Sequence, residues 1–257
     1  MYDIIYSITF HQSLDFVNHF LKNIEKYDVK NNYLIVIHLS DNLYEKKDQI
    51  YKKNVLINPI HYNKKLYTHL LLKPFIENFE YLITQNIKFN NFMTLTSSNR
   101  FVREAPKFEL DESPLCENKI VQNIQDLKKW HWPNFLKNKK IVQLFQSNKI
   151  KLICGEVSGR LYSKNVIEKI CDFIRKKKIL ELIECEVVFE EIIFPSLANY
   201  YMNKKQKVYC HTFRGKPRCI PSVDDVYKIL EENPHIYIIK RFPDDLNNIL
   251  FKKILGD

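Results

Sequence analysis

Apolar positions along the chain follow two rhythms that alternate with each other. Ile4 to Phe10 is a short β-rich run, and Leu14, Val17, Phe20, Leu21 and Ile24 then recur at helical spacing. Tyr33 to Leu39 is almost continuously apolar, the pattern of a strand buried on both faces of a parallel sheet. Val55 to Ile57 predicts a third strand, Leu66 to Ile83 a long helix with Pro74 as its kink, and Phe92 to Thr96 a return to strand. The stretch from about Glu104 to Lys140, with Pro106, Pro114 and Pro133, breaks both rhythms and reads as an excursion over one face of the sheet. Beyond it, strands are expected at 150–154, 207–212 and 236–239, and helices at 164–178, 190–202 and 223–232. This order argues for an α/β domain with a mostly parallel central sheet and crossover helices. With no repeats and no flexible linker, residues 1–257 read as one domain.

Composition narrows the chemistry. Only four glycines occur, Gly155, Gly159, Gly215 and Gly256, too few and too scattered for a P-loop or a G-x-G-x-x-G fingerprint. The six cysteines form no C-x-x-C pair and no His/Cys cluster, so they read as reduced thiols. No apolar run reaches membrane-spanning length, and the opening Met1-Tyr2-Asp3-Ile4-Ile5 lacks the basic start and cleavage site of a signal peptide. A soluble, cytoplasmic chain is therefore expected. The formal net charge of +10 favours an anionic partner, although lysine interleaved with asparagine and isoleucine is also what an AT-rich coding sequence produces.

Three stretches carry a family resemblance. Asn32 to Asp41 resembles the second strand of core-2/I-branching β-1,6-N-acetylglucosaminyltransferases and their relatives the peptide O-xylosyltransferases, where a His-x-Asp-like turn, here His38 to Asp41, lies beside the nucleotide. Glu190-Glu191-Ile192-Ile193-Phe194-Pro195-Ser196-Leu197 is similar to that family's acidic motif. Ile238-Ile239-Lys240-Arg241-Phe242 looks like its Ala-Arg-Lys-Phe segment. The resemblance runs in order from about residue 3 to 245. It implies a GT-A-like nucleotide-sugar fold, with about residues 1–100 as the nucleotide-binding half and 101–257 as the acceptor and catalytic half. The implied activity is an inverting hexosyl- or N-acetylhexosaminyl-transfer from a nucleotide-diphosphate sugar, in the first place a UDP-sugar, to a glycan acceptor. It also implies work without a metal or other cofactor. Where most GT-A enzymes carry a metal-binding D-x-D, this chain has Thr94-Leu95-Thr96-Ser97-Ser98-Asn99-Arg100, which offers no carboxylate.

The same resemblance assigns roles. Glu191 matches the general base and Glu190 the acidic position that supports it. Lys240 and Arg241, at a strand end, would carry the charge of the leaving diphosphate, joined by Arg214 or Arg218 from the glycine-proline turn around Lys216. Ser7, Thr9 and His11 at the end of the first strand and Asp41 at the end of the second are expected at the nucleoside. Glu156 and Arg160, in the glycine-bearing loop, are expected at the acceptor. Trp130 and Trp132 would stack on a sugar or fill the core.

Two other readings compete with this one. A metal-dependent transferase of the same fold would use Glu109 and Asp111. A basic nucleic-acid-binding protein would account for the charge, but no recognised module appears and the aromatics do not interleave with basic residues. The family's members are membrane-anchored and disulfide-bonded, so the expectation here is a compact cytoplasmic relative from an AT-rich bacterium or a large virus, acting in the host cytoplasm if viral.

Overall fold

The fold is taken from a computed structural model, which describes residues 1–63, 72–108, 119–120, 135, 137–183, 189–202, 208–213, 220–243 and 245–256. Strand β1 (Tyr2–Phe10) leads into helix α1 (Leu14–Tyr27), β2 (Tyr33–Leu39), the short helix α2 (Asp41–Tyr44), β3 (Val55–Ile57), α3 (Lys73–Thr84) and β4 (Phe89–Thr96). Then come β5 (Asn99–Phe101), β6 (Lys119–Ile120), a helix at Lys139–Ser147, β7 (Ile153–Cys154) and β8 (Arg160–Ser163). Helices Lys164–Lys176, Ile179–Leu182 and Glu190–Tyr201, strand β9 (Cys210–Thr212), helix Val223–Glu232 and strand β10 (Ile238–Lys240) follow, and the chain ends in a π-helical turn at Phe251–Leu255.

The central sheet has the order β3-β2-β1-β4-β8. β1 pairs in parallel with β2 and β4, β2 with β3, and only β8 runs antiparallel, against β4. The period-2 pattern of β1 explains why helices cover both faces. Ile4, Tyr6, Ile8 and Phe10 pack with Val17, Phe20, Leu21 and Ile24 of α1. Ile5 faces the other way, toward Phe75, Ile76 and Phe79 of α3. Every residue of β2 is buried, as its continuous apolar run requires.

A second sheet, β5-β10-β9, shares this core, since Phe101, Cys210 and Ile238 lie in the same apolar cluster as Ile4 and Tyr6. β10 is antiparallel to β5 and parallel to β9. The mixed α/β architecture with a mostly parallel sheet is thus as the sequence predicts, while β5, β8 and the second sheet are additions. Pro74 lies in the first turn of α3 as described, where its missing N–H costs nothing. The earlier part of that expected helix, 64–71, and most of the irregular stretch 104–140 lie outside the described residues. No described helix is long and apolar enough to cross a membrane.

The topology fixes where a ligand can sit. The chain builds β1, β2 and β3 in one direction, then crosses through α3 and lays β4 on the other side of β1. In open parallel sheets the crevice at the carboxyl ends of the strands flanking such a reversal is the natural binding place. Here that edge is formed by Thr9 and Thr96, which are register partners, and by the residues that follow them.

Candidate functional site

Three segments distant in sequence meet at the carboxyl end of β4. The first is the turn Thr96 to Asn99, closed by Asn99 Oδ1, which accepts from Thr96 N at 2.6 Å and from Thr96 Oγ1 at 3.0 Å. The second is the end of β10, where Lys240 is the register partner of Asn99 on one side and Thr212 on the other. Immediately after it Arg241 adopts φ +82°, a left-handed conformation that costs a non-glycine residue about 1 kcal/mol or more. Arg241 N and Phe242 N both donate to Ser98 O at 3.1 Å, and these bonds hold the bend against the β4 turn.

The third segment is the loop from Gly155 to Gly159. Gly155 N donates to Glu191 O at 2.9 Å, Thr94 Oγ1 donates to Val157 O at 2.5 Å, and Gly159 N donates to Thr94 O at 2.7 Å. The loop is thereby tied to β4 at one end and to the start of helix Glu190–Tyr201 at the other. Its acidic member, Glu156, accepts from Lys240 Nζ at 2.5 Å, with the two side chains 18% and 19% exposed.

Four ionisable side chains, Lys240, Glu156, Glu190 and Glu191, therefore share one partly buried space. Burial pulls Lys240 toward neutrality, but Glu156 and then Glu191 more than offset it and hold the ammonium above its ordinary range. Burial likewise pushes Glu156 up, yet Lys240 and the Ser158 N–H keep it below the usual carboxylate range. Glu190 goes the opposite way. It is 5% exposed, its Oε2 has no hydrogen-bond partner, and burial followed by the neighbouring Glu191 pushes its carboxyl well above the usual range. Adjacent acids in a helix's first turn thus meet different surroundings, and burial with the neighbouring Glu191 favours the neutral form of Glu190. The same surroundings push the Cys154 thiol up to about 12, by burial and then by Glu191, and raise the Cys210 thiol by burial and then by Glu156. Both are inert thiols.

Of the expected site residues, the structure brings Glu190, Glu191, Glu156, Lys240 and Arg241 into this region. Thr9 lies beside it through its pairing with Thr96, and Thr96 Oγ1 is 3.4 Å from Ser158 Oγ. His11 is exposed just past β1. Asp41 opens α2 further along the same edge, where its Oδ1 is 2.8 Å from His61 Nδ1. The His61 ring stacks on Tyr44 with centroids 4.0 Å apart.

Others are placed differently from expectation. Ser7 is not at the strand end but in the middle of β1, fully buried, with its hydroxyl accepting from Asn78 Nδ2 at 3.0 Å. Arg160 is 1% exposed and its Nε donates to Glu156 O, so it braces the loop from inside and does not face an acceptor. His38 is also internal, its Nε2 3.0 Å from Glu77 Oε2, which also accepts from Tyr62 OH at 2.9 Å. Arg214, Lys216, Arg218, Glu109, Asp111, Trp130 and Trp132 lie outside the described residues. Among those that are described, no group of three or more His, Cys, Asp or Glu is placed to hold a metal ion, Glu156, Glu190 and Glu191 included.

Sequence reasoning missed the Asp41, His61 and Tyr44 grouping, the bond between Glu156 and Lys240, and the anchoring role of Ser98. The first two join residues 20 and 84 positions apart, and no local pattern announces such pairs. The odd bend at Arg241 had one cue, a basic pair directly after an apolar strand and before Phe242-Pro243. No protein-family model matches this chain, and no curated protein matches it in sequence.

Proposed function

We propose that the protein is a glycosyltransferase that moves a sugar from a nucleotide diphosphate, in the first place a UDP-sugar, to a glycan hydroxyl with inversion. The observation that supports it most is that Lys240, at the sheet's reversal point, pairs with Glu156 of the loop that Gly155 N ties to Glu191 O, three segments otherwise far apart. In this reading Glu191 accepts the proton of the attacking hydroxyl as its oxygen bonds to the anomeric carbon and the carbon–oxygen bond to the diphosphate breaks. Glu190, whose burial favours the neutral form, limits the negative charge beside the base. Arg241 is the described cation suited to the departing diphosphate, because its Nε is buried without a partner and a guanidinium matches phosphate oxygens in pairs. Thr9, His11 and Asp41, along the same strand ends, are suited to the nucleoside.

The test is turnover of a panel of UDP-sugars, with release of UDP followed in the presence and absence of excess EDTA. Turnover should survive the chelator, since the β4 end offers hydroxyls and amides where a metal would need carboxylates. Loss with EDTA and rescue by Mn²⁺ or Mg²⁺ would move the diphosphate site to Glu109 and Asp111. A protein that turns over none of the panel and binds polynucleotide with steep salt dependence would be a nucleic-acid-binding protein instead.

A further inference from the structure

The two strand-end cations stand in opposite situations. Arg241 stands just past the strand on a left-handed backbone, and its buried Nε has no partner. Lys240 is already engaged: its Nζ is 2.5 Å from Glu156 Oε1, and Glu191 and Glu190 lie within the same field. One ammonium thus has Glu156 as its ion-pair partner and two further acids in its field. A diphosphate brought onto Lys240 would set its own negative charges against Glu156 and Glu191, at a cation whose charge is already balanced.

We propose that Lys240 is a positioning residue, the counter-ion of Glu156 that fixes the loop Gly155–Gly159, which Gly155 N ties to Glu191 O at the start of helix Glu190–Tyr201, and that it leaves the diphosphate to Arg241. The first half stands on the ion pair alone, and the second rests on the donor-site reading above. The titratable groups facing Lys240 are Glu156 from the loop, Glu190 and Glu191 from the helix start, and the thiol of Cys210 on β9. With Lys240 removed, the carboxyls must share protons, as like charges in one low-dielectric site do. Glu191 would then be protonated nearer neutral pH and the base would be lost from the acid side.

The sign of the stability effect follows from the two directions. Glu156, held low, stabilises the fold above the ordinary carboxylate range, and that contribution is lost as pH falls through its lowered value. Lys240, held high, stabilises below the ordinary lysine value, and that contribution is lost as pH rises through its raised value. The pair therefore contributes most around neutrality.

The experiment combines a stability cycle with a binding comparison. Lys240→Met, Glu156→Gln, their double variant and Lys240→Arg are unfolded in denaturant at neutral and acid pH, and UDP and uridine are titrated by calorimetry into wild type, Lys240→Met and Arg241→Met. At neutral pH the cycle should show coupling of about tenfold in the folding equilibrium, shrinking at acid pH, with Lys240→Arg recovering most of the loss. UDP affinity of Lys240→Met should stay within about twofold of wild type, whereas Arg241→Met should lose about tenfold or more for UDP and little for uridine. The acid limb of any pH–rate profile of Lys240→Met should move up by about one unit, a shift that Lys240→Arg does not show. Additive stability losses would overturn the counter-ion role. A tenfold loss of UDP but not uridine in Lys240→Met would overturn the division between the two cations. If wild type binds neither ligand, the donor reading and the diphosphate half fall together, while the stability cycle still decides the counter-ion half.

Discussion

Glu191→Gln should lower the transfer rate by about 10²–10⁴ while leaving donor affinity nearly intact. Gln preserves size and hydrogen bonding but cannot take the acceptor proton. Glu190→Gln should lose distinctly less, because burial of a side chain 5% exposed with an unpartnered oxygen favours its neutral form, which the amide imitates. Steady-state rates for both variants, with donor affinity measured separately, decide the assignment. If Glu190→Gln is the inactive protein, or if both retain near-normal transfer, the base has been assigned to the wrong residue. A folded Glu191→Gln that no longer binds donor would put this carboxylate in the nucleotide site.

Gly159→Ala should cost about 2–4 kcal/mol, the sum of a left-handed backbone imposed on alanine and overpacking against a neighbouring strand. Gly159 has φ +69°, and a Cβ there would meet Cys210 Cβ at 2.3 Å and Cys210 N at 2.9 Å. Cys210 cannot yield cheaply. Its strand is fixed by Tyr209 N donating to Gly159 O at 2.9 Å, by Ile238 N donating to Tyr209 O at 3.1 Å, and by register with β10. Displacing β9 would also move Lys240, so transfer should fall with stability. Gly256 is the control: φ is +70°, but the nearest atom to an added Cβ is Lys26 Nζ at 3.9 Å, and Gly256→Ala should cost only about 1 kcal/mol. Urea midpoints at unchanged m-value measure both. Equal costs for the two glycines would show that β9 does not press on this loop.

What could be read from the sequence was the part carried by periodicity. β1, α1 and β2 follow from runs in which each residue's face is set by its position, and β2 ends at Leu39 as its apolar run does. Strands of three or four residues, such as β5 and β8, are too short to leave a rhythm and depend on partners supplied by other segments. Ser7 misled because a hydroxyl inside an apolar strand has two readings, a ligand contact or a bond to another buried polar group, and here Asn78 takes it. Arg160 is the same lesson with a charge. The pairing of Lys240 with Glu156 was beyond reach for a further reason: either residue alone looks like a surface charge, and only the fold shows that both side chains are four-fifths covered.

The most direct measurement is a titration of UDP into the isotopically labelled protein, followed through its backbone amide resonances. The account predicts saturable shifts concentrated at the carboxyl ends of β1 and β4 and at the end of β10, with Thr9, His11, Thr96, Ser98 and Arg241 among the most affected and uridine producing weaker ones. Shifts confined to another face, such as Lys22 and Lys26 on α1, or no saturable response to UDP at all, would contradict a nucleotide-sugar site at the reversal point of this sheet.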